Sequence, residues 1–251
     1  MIINPAHPTQ AATSHLLNTA VWAVSLALQI ALVWRLLRTR SAREVPMFLV
    51  LIGFYCLRSA LLYLIFGLID ADDYRGLYDA LETIELALQF GFALWALAVL
   101  VRAGGGLYSR KGIMPVALTA LTAAASWWIA AHAPSRGTLR VDRTQIFFGL
   151  LMGAFCVWSF ALRGLRSSIR GVLEGFAIYG VVSIAATLGH TRAQLARDAR
   201  GYMAWSWWLS GTYIAVVIFW LVRLWSSGPG NDAAGDSITA VAEAGSGALP
   251  L

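Results

Sequence analysis

Seven uninterrupted apolar runs, each about as long as the hydrocarbon core of a bilayer is thick, constrain this chain more than anything else in it. About 20 helical residues cross that core. Within it every backbone polar group must bond inside its own segment, so each run is read as a helix. The expected spans are residues 15–37, 47–69, 77–101, 113–133, 143–162, 171–190 and 204–225. Only 13% of the 251 residues are charged and 59% are hydrophobic. A soluble domain carries about 25% charged residues, so lipid is the expected solvent. The predicted fold class is all-α, an integral membrane bundle of seven transmembrane helices.

Positive flanks set the expected orientation, because loops rich in Lys and Arg stay in the cytoplasm. Arg35, Arg38, Arg40 and Arg43 follow the first run, and Arg102, Arg110 and Lys111 follow the third. Arg163, Arg166 and Arg170 follow the fifth, and Arg223 ends the seventh. The opposite side carries fewer: Arg75, Arg136, Arg140, Arg143, Arg192, Arg197 and Arg200. The N-terminus is therefore expected outside and the C-terminus in the cytoplasm of a cell-membrane protein. Residues 1–14 lack Lys and Arg, unlike a signal peptide's positive n-region, so the first run is expected to be an uncleaved span. Residues 226–251 are Gly, Ala, Ser and acid, a composition that buries too little apolar surface to order itself. They are expected to form a disordered cytoplasmic tail. Residues 191–203 are expected as an outer segment able to form a short interfacial helix.

Trp127, Trp128, Trp205, Trp207 and Trp208 fall at the outer ends of spans and Trp34 and Trp225 at inner ends. Indole rings favour the headgroup level.

Arg58 near the middle of the second span is the sharpest chemical feature. A guanidinium at mid-membrane costs roughly 3 kcal/mol on insertion scales and should face a partner in the protein interior. The next helix, beyond the acidic turn Asp70–Arg75, carries Asp79, Glu82, Glu85 and Gln89. Glu82, Glu85 and Gln89 stand at i, i+3 and i+7 on one face. Tyr55 and Arg58, three apart, share a face of their own helix. At 1.5 Å per residue Arg58 lies roughly 16 Å deep and Glu85 roughly 12 Å, within reach of a long side chain. The candidate site is Arg58 with Glu85, joined by Glu82, Gln89 and Tyr55.

Other features carry less. Lys111 is the single lysine, which excludes a retinal Schiff base on the last helix; the motifs of microbial rhodopsins are absent. Cys56 and Cys156 lie inside apolar runs and read as small buried hydrophobes. His7, His15, His132 and His190 fall on the outer side without ligand spacing, so no metal and no cofactor is expected. Gly104–Gly106 lacks the Lys-Ser/Thr of a phosphate cradle and reads as a linker. Glu174 is expected to pair with Arg170 one turn earlier. Gly149/Gly153 and Gly171/Gly175 have GxxxG spacing and suggest close helix packing. Basic residues after the first and fifth spans hint at a 3+1+3 repeat.

Three function classes follow. A sensory or accessory protein with a polar site in the outer half would act through a cytoplasmic or membrane partner. A small transporter would use Arg58 and Glu85 at mid-membrane. An intramembrane enzyme would need a nucleophile–base pair or metal motif that the chain lacks. The expected surroundings are the bilayer, a protein partner and an unidentified small molecule; nucleic acid is not among them.

Overall fold

A computed structural model describes residues 8–39, 41–65, 68, 70–132, 143–162 and 164–226. Most of the first tail, the loop Pro134–Asp142, Arg163, His7 and nearly all of the C-terminal tail lie outside them. The helices are α1 (Pro8–Arg38), α2 (Ser41–Glu44), α3 (Pro46–Ile65), α4 (Ala71–Ala103), α5 (Arg110–His132), α6 (Arg143–Ala161), α7 (Ser167–Ala196) and α8 (Ala199–Ser226), with no strand among the described residues. All except the four-residue α2 are long and apolar enough to cross a membrane. The chain is a seven-span, multi-pass membrane protein.

Local chemistry places the helix ends. Pro46 stands first in α3, where its missing N–H is no loss. Asp72 and Asp73 occupy the first turn of α4, where carboxylates favour the positive end of the helix dipole. The acidic stretch expected as a turn before Leu77 is therefore the beginning of the helix. The glycine run after α4 closes on its own backbone. Gly104 N–H and Gly106 N–H donate to the Leu100 and Val101 carbonyls at 2.9 Å, and Gly105 and Gly106 have φ of +92° and +84°. Ser109 Oγ donates to the Gly104 carbonyl and accepts the Gly112 N–H at 2.9 Å, starting α5. These amides are directed inward, as a linker requires and a phosphate cradle does not.

The outer segment expected between residues 191 and 203 is instead a tight corner. α7 continues to Ala196, Arg197 turns left-handed at φ 56°, and α8 starts at Ala199. Asp198 N–H reaches back to the Ala193 carbonyl at 2.8 Å, and its carboxylate accepts the Gly201 N–H at 3.0 Å. Hydropathy falls where the chain leaves lipid, but helix propensity does not fall with it.

The spans close into a ring in chain order, α1 packing on α3 at one side and on α8 at the other. α5 is laid against α4 and α6, which also touch each other. The end at which α1 begins is called the upper end below. The two halves differ sharply. The hydrophobic core, including Leu36, Phe48, Leu100, Phe155, Val172 and Leu224, fills the lower half. Its top is a four-ring plug. The Phe48 and Trp220 centroids are 4.8 Å apart, Phe92 and Phe176 4.7 Å, and Phe176 and Trp220 4.9 Å.

Glycines let α7 sink between its neighbours. A Cβ on Gly180 would stand 2.7 Å from Gly149 Cα, and one on Gly171 2.7 Å from Arg223 Cγ, while one on Gly175 would strike the Trp220 indole. Gly149 thus packs inside the bundle on Gly180, whereas nothing lies within 4 Å of a Cβ at Gly153. Outward-facing Trp127, Trp128, Trp208 and Trp34 are all more than half exposed, and the Arg38 and Arg143 guanidiniums lie over Trp34 and Trp127 at 4.2 and 4.1 Å.

At the lower end Glu44 accepts from Arg166 at 3.1 Å and from Ser168 at 2.5 Å, tying α2 to α7. Arg170 does not turn to Glu174. It donates to the Ser159 and Leu162 carbonyls at 3.3 and 3.4 Å, the unsatisfied end of α6. Glu174 has Arg223 at 3.9 Å instead.

Candidate functional site

Above the plug the ring encloses a cavity of about 530 Å³, lined from α1, α3, α4, α6, α7 and α8. Phe176 and Trp220 of the plug reach its floor. Three groups of hydrogen-bonded side chains stand on three of its walls.

The first group spans α3 and α4. Arg58 Nη1 donates to Glu85 Oε2. Gln89 Nε2 donates to the other oxygen of Glu85 at 3.0 Å and to the Tyr55 hydroxyl at 3.1 Å. One amide thus joins the ion pair to the phenol. The helices dictate this: Tyr55 and Arg58 are one turn apart on α3, and Glu85 and Gln89 one turn apart on α4. The Arg58 and Glu85 side chains are 17% and 19% exposed. The Arg58 guanidinium also lies 5.0 Å from the Tyr78 ring. The structure brings Arg58, Glu85, Gln89 and Tyr55 together; Glu82 is exposed and lies outside the network. Three residues along a helix turn a side chain about 60° away and raise it about 4.5 Å, which carries Glu82 out of the cavity.

The second group joins the first span to the last. Gln29, 3% exposed, donates to the Tyr213 hydroxyl at 2.8 Å. The Tyr179 ring meets that of Tyr213 edge-on at 5.8 Å. The third group links α6 and α7, where Gln145 Oε1 accepts from Thr187 at 3.1 Å and from Ser183 at 3.4 Å. Between α1 and α3 the wall is a stacked pair, Trp22 and Tyr63, with centroids 3.7 Å apart.

Gln29, Gln145, Tyr179 and Tyr213 are site residues that the sequence reading did not single out. A signal existed for Gln29, an amide inside the apolar run Leu26–Trp34, since polar groups in mid-span face the interior.

Among the described residues, Arg58 and Glu85 are the charged side chains lining the cavity. They neutralise each other, and the remaining polar groups are amides and hydroxyls. Arg58 Nε and Gln29 Oε1 are buried and have no hydrogen-bond partner. The site can therefore hold a neutral molecule that hydrogen-bonds on its edges and lays an apolar face on aromatic rings. His132 and His190 are engaged locally, with the Trp128 carbonyl at 2.8 Å and Ser206 at 3.1 Å. Among the described residues no three His, Cys, Asp or Glu converge as a metal site would require.

Comparison with family models, curated proteins and solved structures returns no match. The fold and the cavity define the class: a seven-span membrane protein with a polar, charge-balanced chamber in one half.

Proposed function

We propose that this protein is a sensory or accessory protein of the cell membrane that binds a small molecule in the upper-half cavity and acts through a protein partner. The upper end faces outward in this reading, following the distribution of Lys and Arg. One observation carries it: six spans surround a polar chamber above a lower half packed with apolar side chains. A chamber open at one level and plugged below receives a ligand without passing it through. The transporter reading uses the same Arg58–Glu85 pair, but requires the Phe48–Phe92–Phe176–Trp220 plug to part.

The test is thermal unfolding of the purified chain across a library of small molecules. A ligand present at 100 times its Kd stabilises the folded state by about 2.7 kcal/mol. Ser183 lines the cavity and is 7% exposed, so Ser183→Leu should remove the shift. A shift that survives that variant would place binding elsewhere. Uptake of the bound molecule into sealed vesicles would establish transport instead.

A further inference from the structure

We propose that the ligand is a single-chain amphiphile with a neutral, hydrogen-bonding head, which passes from the bilayer into the cavity between α1 and α8. This rests on the cavity's being a ligand site. A second cavity, of about 410 Å³, lies between α1 and α8 and shares Trp22, Ser25, Tyr179 and Tyr213 with the first. The two adjoin at these four side chains, so a passage between them would run sideways through the ring. On the α8 lip stand Met203, 48% exposed, and Trp207, 37% exposed, on a helix whose other exposed side chains include Trp208, Ile218 and Val222. At this depth such a face meets lipid. The opposite side of α1 is closed by the Trp22–Tyr63 stack.

The polarity of this passage is graded. Its outer lining includes Val21, Leu209 and Ile214, with Ser206 and Ser210 among them. Further in come Ser25 and Tyr213, then Gln29, and across the chamber the Arg58–Glu85 pair. A chain fits the outer part and a hydrogen-bonding head the inner part. The head is neutral because the pair is self-balanced. A charged head would separate Arg58 from Glu85 and leave one of them without its partner in low dielectric. A hydroxyl or amide head instead adds no charge beside the pair and can exchange hydrogen bonds with the hydroxyls and amides that line the chamber.

The probe is a diazirine-bearing monoacylglycerol, applied to the full chain in nanodiscs and mapped by peptide mass spectrometry. Labelling is expected on the α1 stretch 21–29 and the α8 stretch 203–214. Unlabelled monoacylglycerol should compete, and a lysophosphatidic acid of equal chain length should compete at least about tenfold less well. Ser210→Trp, which fills the passage, should abolish cavity labelling; Val21→Phe on the opposite lip gives the same test if that variant does not fold. Labelling spread over all lipid-facing helices and unchanged by both variants overturns the proposal, as does equal competition by the anionic head. A water-soluble molecule that stabilises the protein through Ser183, with no cavity labelling by the monoacylglycerol, overturns the amphiphile and leaves the cavity reading standing. With neither effect, both fall.

Discussion

Gln29 and Tyr213, 184 residues apart, share a 2.8 Å hydrogen bond that ties the first span to the last. The bond closes the ring at the height of the cavity. Tyr213→Phe would leave the Gln29 amide unpaired in a buried position. Such a loss costs about 1 kcal/mol between membrane helices. The thermal transition in detergent should fall accordingly. Gln29→Leu combined with Tyr213→Phe removes both polar partners and should restore most of it. A double variant no more stable than the single would show that the bond does not set the stability of this seam.

The Arg58–Glu85 pair should behave in the same way on a larger scale. Breaking a buried pair from one side costs about 3–5 kcal/mol, while replacing both partners with apolar groups can be nearly neutral. Arg58→Leu should lower thermal stability strongly, and Arg58→Leu with Glu85→Leu should recover it. Glu82→Gln, on the exposed face, should stay within about 0.5 kcal/mol of the parent. If folding recovers in the double variant without ligand binding, the pair serves recognition as well as packing.

The α6–α7 seam gives a steric test. Gly149→Ala would place a methyl 2.9 Å from the Gly180 carbonyl oxygen and 3.0 Å from Ile184 Cδ1. Overpacking of this kind costs about 1–3 kcal/mol. At Gly153 the space is open, and alanine there should be neutral or stabilising by up to about 1 kcal/mol through helix propensity. Equal melting shifts for the two variants would contradict the close approach at Gly149.

Orientation is tested with an impermeant thiol reagent on intact cells, using a chain in which Cys56 and Cys156 are replaced by alanine. Asp72→Cys should react and Tyr108→Cys should not. Tyr108 is fully exposed in the loop between α4 and α5 and avoids the positive φ of Gly105 and Gly106. The reverse pattern would place the cavity in the cytoplasmic half.

The number of spans was legible because the bilayer fixes how long an apolar run must be. The grouping of Arg58, Glu85, Gln89 and Tyr55 was legible because adjacent helices of a hairpin meet, and helical spacing then says which side chains share a face. Glu82 shared the spacing but stands on the exposed side of α4, because how that helix is rotated in the bundle decides which of the three side chains is covered, and no residue pattern records that rotation. The Gln29–Tyr213 bond was hidden because it depends on ring closure across the whole chain. Glu174 found Arg223 and not Arg170 because the open carbonyls of α6 compete for Arg170, and carbonyls are invisible in a sequence. The corner at Arg197–Asp198 was missed because hydropathy marks the edge of lipid, not the end of a helix.

The plug at Phe176 and Trp220 gives the bundle a fulcrum. On α7, Phe176 stands nine residues from the lower end and twenty from the upper, arms of about 13 and 30 Å. A tilt of α7 about this point would move its lower end by less than half as much as its upper end, and in the opposite direction. Ser168 on the lower arm is bonded to Glu44 of α2, so such a tilt would reach the short helix between the first two spans reduced and reversed.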